Sequence, residues 1–120
     1  MNAEQALHTF WSRFSLPAYD ENSVPDSAQL PYITYSISYD SFDNNVSMSV
    51  SLWYKSTSWE DITLKAKEII DSIGHGGIIL KTDKGGIWLK RGNPMYQRIG
   101  NEDRTIKRIY LNVMAEYIES

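Results

Sequence analysis

Three segments of the chain alternate apolar and polar residues one by one, and this alternation restricts the fold more than any other feature. Residues 46–55 are the clearest case, because every second side chain is apolar and most of the others are serines. Residues 32–39 and 105–117 follow the same rule. A period of two predicts a β-strand with one buried face. We therefore expect a sheet in which these three strands each turn one side toward a core.

Turn residues between the apolar runs predict how the strands connect. Residues 40–45 contain two Asp and two Asn, so they predict a turn between the first two strands and hence an antiparallel hairpin. The short apolar runs 78–82 and 87–91 flank a turn with two glycines and predict a second hairpin. Residues 92–104 are polar and contain a proline, so we expect a loop there.

Two other segments show the spacing of amphipathic helices. The first covers residues 3–14, where Asn2 and Gln5 predict a capping box at the start. The second covers residues 59–73, with Ser58 as the expected cap and Gly74 at the end. The apolar stripes consist of Ala3, Ala6, Leu7, Phe10, Trp11 and Phe14 in the first helix, and Trp59, Ile62, Ala66, Ile69, Ile70 and Ile73 in the second.

A proline-rich segment, residues 15–30, separates the first helix from the first strand. Pro17, Pro25 and Pro31 disfavour helix there, and a loop of this length predicts an ordered or partly ordered surface arm. The order is therefore α-β-β-α-β-β-β. We expect an α+β fold in which a mixed, mostly antiparallel sheet packs against two helices, and one domain that spans residues 1–120.

The residues that catalysis or metal binding requires are sparse and scattered. Cysteine is absent, which excludes disulfides and thiol chemistry, and no apolar run approaches the length of a membrane span. His8 and His75 lie far apart, and the glycine-rich turn at 74–77 follows a helix, whereas a phosphate loop precedes one. We therefore predict no catalytic, cofactor-binding or metal-binding residues. Trp53 is the one large apolar residue on a serine-lined strand face and is a possible contact point.

Charge is unevenly distributed along the chain, although the net charge is only −3. Residues 15–45 hold five acids and no Lys or Arg, and residues 81–108 hold eight cations against three acids. Such segments can pair within one chain, can form two halves of a contact between subunits, or can arise by chance. The residues we assign to a subunit interface are Asp20, Glu21 and Asp26 on the acidic side, with Lys84, Lys90, Arg91 and Arg98 on the basic side.

The chain resembles the tail terminator, or tail completion, proteins of long-tailed bacteriophages, a family also described as minor capsid or head–tail joining proteins. The resemblance covers nearly the whole chain. It lies in residues 30–35 (LPYITY), 50–54 (VSLWY), 58–61 (SWED), 85–92 (GGIWLKRG) and 107–113 (KRIYLNV).

This resemblance implies a viral structural protein and not an enzyme. It implies a homo-oligomeric ring, expected to be a hexamer, that caps the tail tube, ends tail elongation and joins tail to head. The implied partners are the tail-tube protein and the head-completion or connector proteins, with double-stranded DNA passing through the ring without sequence-specific binding. The implied location is the tail–head junction of the virion, and the host cytoplasm during assembly, with no membrane contact.

Two alternatives remain open from the sequence. One is a different neck or tail-tube component of similar fold, which ring stoichiometry and the end of the tail that is bound would distinguish. The other is a small enzyme or ligand-binding domain that uses His75 and the glycine-rich turn. That alternative requires a deep polar pocket near His75.

Overall fold

A computed structural model describes the backbone of residues 1–36 and 45–119 and the side chains of residues 1–36 and 47–118. The described elements follow in chain order. They are helix α1 (Ala3–Trp11), a 3₁₀ turn (Ser12–Phe14), strands β1 (Ala18–Asp20), β2 (Tyr32–Tyr35) and β3 (Asn45–Lys55), helix α2 (Glu60–Ile73), and strands β4 (Ile78–Thr82), β5 (Gly85–Ile99) and β6 (Ile106–Glu119).

All six of these strands belong to one sheet, in the order β1-β2-β3-β6-β5-β4. β1 runs parallel to β2, and every other neighbouring pair is antiparallel. The last strand, β6, lies between β3 and β5 and pairs along nearly its whole length with both. The predicted α+β class is confirmed, as is the antiparallel pairing of both predicted hairpins.

Both helices place their apolar stripes on the same side of the sheet, which we call the inner face. The 14 residues of α2 bury four aliphatic side chains there, and α1 with its 3₁₀ turn buries three aromatic rings. The sheet contributes alternate residues of β3 and β6, as the period of two predicts. Fully buried residues of these elements include Phe10, Trp11, Ile62, Ile69, Val50, Leu52, Ile109, Leu111 and Val113.

The helix ends agree with the predicted caps in most details. Asn2 and Gln5 form the capping box of α1 from both sides. α2 begins one residue later than predicted, at Glu60, but the Ser58 hydroxyl still accepts the Glu60 N–H at 3.0 Å. Gly74 follows α2 with a φ of 74°, a value that favours glycine.

The loop prediction for residues 92–104 is wrong for its first half, because β5 continues to Ile99. The register between β5 and β6 shifts between Arg91 and Tyr96, and this irregularity accommodates Pro94. Gly92 is needed there, since a Cβ would lie 2.8 Å from the Asn112 carbonyl oxygen. After the irregularity, Tyr96 pairs with Leu111 and Ile99 pairs with Arg108 on β6, which keeps this polar segment in the sheet.

The predicted surface arm at residues 15–30 contains one element that the sequence did not indicate. β1 pairs with β2 in parallel, so the Pro17 carbonyl accepts the Ile33 N–H and the Tyr35 carbonyl accepts the Glu21 N–H, each at 2.9 Å. The predicted turn at 40–45 and the end of the predicted strand 32–39 lie mostly outside the described residues. The same holds for two acids of the acidic segment, Asp40 and Asp43.

Candidate interaction surfaces

The opposite side of the sheet, the outer face, carries a polar and aromatic cluster centred on Trp53. The Trp53 indole N–H donates to the Thr34 hydroxyl at 2.9 Å, and the Arg108 guanidinium lies 4.7 Å from the centre of the Trp53 ring. Arg108 Nε also donates to the Ser51 hydroxyl at 3.1 Å. These contacts explain why Thr34 and Ser51 are buried although their strands turn them away from the core. Trp53 on β3 is therefore held by one neighbour on β2 and one on β6.

A second contact between a cation and an aromatic ring, that of Lys90 with Trp88, lies on the outer face near the start of β5. Lys90 Nζ is 4.6 Å from the centre of the Trp88 ring and 3.7 Å from a Glu116 carboxylate oxygen. Arg91, the next residue, points to the inner face, where it donates to the Ile70 carbonyl oxygen at 3.0 Å. That carbonyl also accepts the Gly74 N–H at 3.0 Å, so Arg91 adds a second, charged donor in the last turn of α2. Lys90 therefore lies on the outer face of the sheet, whereas Arg91 lies on the inner face against α2.

The four cations assigned to the interface do not form one patch. Lys84 lies in the turn before Gly85, and Gly85 pairs with Glu119 at the end of β6. Arg98 pairs with Ile109, ten residues earlier on β6, which corresponds to about 33 Å along a strand. Arg98 lies over the Trp59 ring at 5.1 Å, beside Lys107 at 5.5 Å. A single small contact cannot include both Lys84 and Arg98.

The three described acids of the interface prediction do lie in one segment, residues 20–26, which we call the acidic arm. Glu21 and Asp26 are exposed, and Asp20 is half-buried. The Asp20 side chain accepts the Asn22 N–H at 3.0 Å, and its carbonyl accepts the Ser23 N–H at 2.9 Å. A tight turn therefore holds the start of this arm.

An acidic groove lies between α1 and the β1–β2 edge, with a volume of about 630 Å³ and a lining that includes Glu4, His8, Asp20 and Tyr35. The His8 Nδ1 and the Tyr35 hydroxyl are 3.2 Å apart. Burial, followed by the Asp20 and Glu4 carboxylates, raises the pKa of the Tyr35 hydroxyl above its ordinary value of 10.0. Tyr35 is therefore a neutral hydrogen-bonding group near pH 7.

A second groove lies on the other flank of α1, against β4. It has a volume of about 220 Å³ and is lined by Arg13, Ile79 and Lys81 among others. The residues assigned to the interface from the sequence do not include these three, although Lys81 belongs to the basic segment 81–108 and Ile79 to the predicted hairpin. The run Ile78, Ile79 and Leu80 is apolar throughout, so alternation alone does not reveal that Ile79 is 60% exposed.

The residues of the enzyme alternative have other roles in this structure. His75 is exposed and lines neither of the two grooves. The glycine-rich turn packs closely on β5: the Trp88 indole N–H donates to the Gly76 carbonyl at 2.9 Å, and a Cβ on Gly77 would lie 2.4 Å from the Leu89 carbonyl oxygen. Gly77 is thus explained by close packing, whereas a Cβ at Gly74 or Gly76 would meet no other atom within 4 Å. Within residues 1–36 and 45–119, no group of three or more His, Asp or Glu side chains is placed to hold a metal ion.

Comparison with known proteins gives a match in fold but none in sequence. No family model matches the chain, and no curated protein matches its sequence. The fold is similar to that of a chain in a solved structure described as "Virion of native gene transfer agent (GTA) particle", with a TM-score of 0.59 and 17% sequence identity. The similarity covers 98% of this chain and 91% of that chain. In the described part of this protein, neither helix has the length and apolarity to cross a membrane. The chain therefore shares its whole fold with a component of a phage-like particle.

Proposed function

We propose that this protein is a virion structural component that forms a ring, caps the tail tube, ends tail elongation and joins the tail to the head. The observation that carries the proposal is the end-to-end similarity of fold to a chain of a gene transfer agent virion. The resemblance of residues 30–35, 50–54 and 85–92 to tail terminator proteins supports the same role. On this proposal the protein acts through its shape and its contacts and carries out no chemical reaction.

The partners follow from that role. Copies of this chain form the ring, expected to be a hexamer, with the tail-tube protein on one side and a head-completion or connector protein on the other. Double-stranded DNA passes through without sequence-specific contact. The unlike charges of the acidic arm and of β4–β6 suit a ring, because ring contacts are heterologous and join two different patches. Assembly would take place in the host cytoplasm before the ring becomes part of the virion.

The mass of the protein in solution, measured with and without the tail-tube protein, tests this function. We expect a discrete closed oligomer, formed alone or when tube protein is added, and binding to one end of finished tubes. A chain that remains monomeric under both conditions would contradict the ring. Binding along the length of tubes would instead indicate a tube subunit. Particles that lack this protein should carry tails of uncontrolled length.

A further inference from the structure

Strand β4 forms one edge of the sheet, and part of its backbone is open. Thr82 and Gly85 close a two-residue turn, so Ile78, Leu80 and Thr82 direct their backbone groups at β5, whereas Ile79 and Lys81 direct theirs away. Asp83, two residues after Lys81, also directs its backbone N–H away from β5, and this N–H donates to the Met1 carbonyl at 2.8 Å. Among the described residues, no hydrogen bond reaches the outward groups of Ile79 or Lys81.

Two exposed aliphatic side chains lie at this edge. Ile79 is 60% exposed and Ile118 is 44% exposed, and both lie on the outer face near Gly86. The Ile79 side chain packs over Gly86, where a Cβ would lie only 3.2 Å from Ile79 Cγ2. Open strand edges and exposed aliphatic side chains are the usual features of a surface that another chain covers.

The groove beside this edge is basic. Arg13 from α1 and Lys81 from β4 both line it. The Arg13 guanidinium lies 4.7 Å from the centre of the Phe10 ring, and neither cation takes part in the ion pairs found among the side chains of residues 1–36 and 47–118. A ligand for this groove therefore supplies negative charge.

We propose that the groove between α1 and β4 binds the acidic arm of a second copy of this chain. The acids of the arm, Asp20, Glu21 and Asp26, take part in none of those ion pairs either. Within one chain, Asp20 lines the groove on the other flank of α1 and does not line the β4 groove, although Met1 and Thr9 border both grooves. Each copy therefore presents an arm on one flank and a complementary groove on the other, which is the arrangement that a head-to-tail ring requires.

This inference rests on the proposed ring and names the surfaces that form it. Lys81, Arg13 and Ile79 replace Arg91 and Arg98 as the central groove residues, because Arg91 faces the core and Arg98 lies near the far end of β5. Lys84, next to the β4 edge, fits at the rim of the same contact.

Charge reversal on the full chain tests the contact. Lys81→Glu and Glu21→Lys should each weaken self-association roughly 3- to 10-fold, measured by sedimentation at low ionic strength, where surface charges are least screened. The double variant should recover most of the loss, since it restores the attraction with the charges exchanged. Lys67→Glu is the matched control, because Lys67 is exposed on α2 and lines neither groove.

The outcomes separate this inference from the ring itself. Rings that tolerate both reversals would overturn the groove and leave the ring intact. A wild-type chain that stays monomeric with and without tube protein would contradict the ring. A chain that is monomeric alone, and whose binding to tube protein is weakened by Lys81→Glu, would assign the groove to another partner and overturn the inference. Circular dichroism of each variant distinguishes loss of contact from loss of fold.

Discussion

The inner and outer faces of the sheet are made from the same strands but hold their residues by different means. On β6, Ile109, Leu111 and Val113 are fully buried against the helices. The alternate residues of β6, including Arg108 and Tyr110, lie half-buried on the outer face. Arg108 is held there by a contact with the Trp53 ring and a hydrogen bond to Ser51, both on β3. The inner face therefore depends on apolar burial, whereas the outer face depends on directional contacts that remain accessible to a partner.

The largest expected effect comes from shortening a buried side chain in the middle of β6. Leu111→Ala should lower the free energy of unfolding by about 2–5 kcal/mol, because it leaves a cavity at a site with no exposed surface. Asn112→Ala, its neighbour on the outer face, should change it by less than about 0.5 kcal/mol. Urea unfolding of both variants measures the difference. Equal losses would show that the two faces are not distinct in the way the burial indicates.

The adjacent cations Lys90 and Arg91 sharpen the same comparison. Arg91→Met should cost roughly 1–2 kcal/mol, because the Ile70 carbonyl loses a charged donor at the end of α2. Lys90→Met should cost less than about 1 kcal/mol, since its contacts to Trp88 and Glu116 are partly exposed. Thermal unfolding compares the two. A larger loss of stability for Lys90→Met than for Arg91→Met would contradict the placement of Arg91 on the inner face and Lys90 on the outer face.

The hydrogen bond between Trp53 and Thr34 tests how rigidly the outer face is held. Trp53→Phe should cost about 1 kcal/mol, because it leaves the buried Thr34 hydroxyl without its donor. Thr34→Val removes the other partner. A double-mutant cycle should then give a coupling energy of about 1 kcal/mol. A coupling near zero would mean that the outer face is held by shape alone.

The smallest effect concerns pH. Burial, followed by nearby carboxylates, raises the pKa of Tyr35 and also of Tyr54, whose carboxylate neighbours are Asp61 and Glu68. A raised pKa in the folded state means that ionisation favours unfolding. The stability contribution is therefore complete below the unfolded pKa, near 10, and declines as the pH rises through the folded values.

Replacing these tyrosines tests that dependence. Tyr35→Phe and Tyr54→Phe should each make the loss of stability at alkaline pH less steep, and the double variant should make it less steep still. Unfolding free energies measured on both sides of pH 10 report the slope. An unchanged slope in the double variant would contradict the burial of both hydroxyls.

Much of the architecture follows from local pattern. The stripe in residues 3–14 and the alternation in residues 46–55 and 105–117 identify the buried side of each element, because burial follows the repeat of the helix or strand. Asn2 and Ser58 identify the helix starts, since their side chains satisfy amides one turn or less away. These features need no information from distant parts of the chain.

The residues of the candidate interaction surfaces are harder to predict from local pattern. The sequence groups Asp20, Glu21 and Asp26 because they are close along the chain, and in the structure they lie in one segment whose side chains are exposed or half-buried. It grouped Lys84, Lys90, Arg91 and Arg98 on the same basis, but strand alternation places neighbours on opposite faces and strand length separates the ends by about 33 Å. Arg13 and Ile79 meet only because α1 packs beside β4, some 65 residues away in the chain.

Local spacing along the chain is enough to predict which residues are buried, where the helices begin and that the fold is α+β, since each of these depends on a repeat over a few residues. The position of β6 between β3 and β5, the continuation of β5 past Pro94 and the pairing of β1 with β2 became visible only in the folded sheet. The reason is that a strand is completed by the backbone groups of its neighbour. Those neighbours come from distant segments, so the edges, grooves and charge groupings on which function depends appear only when the sheet is assembled.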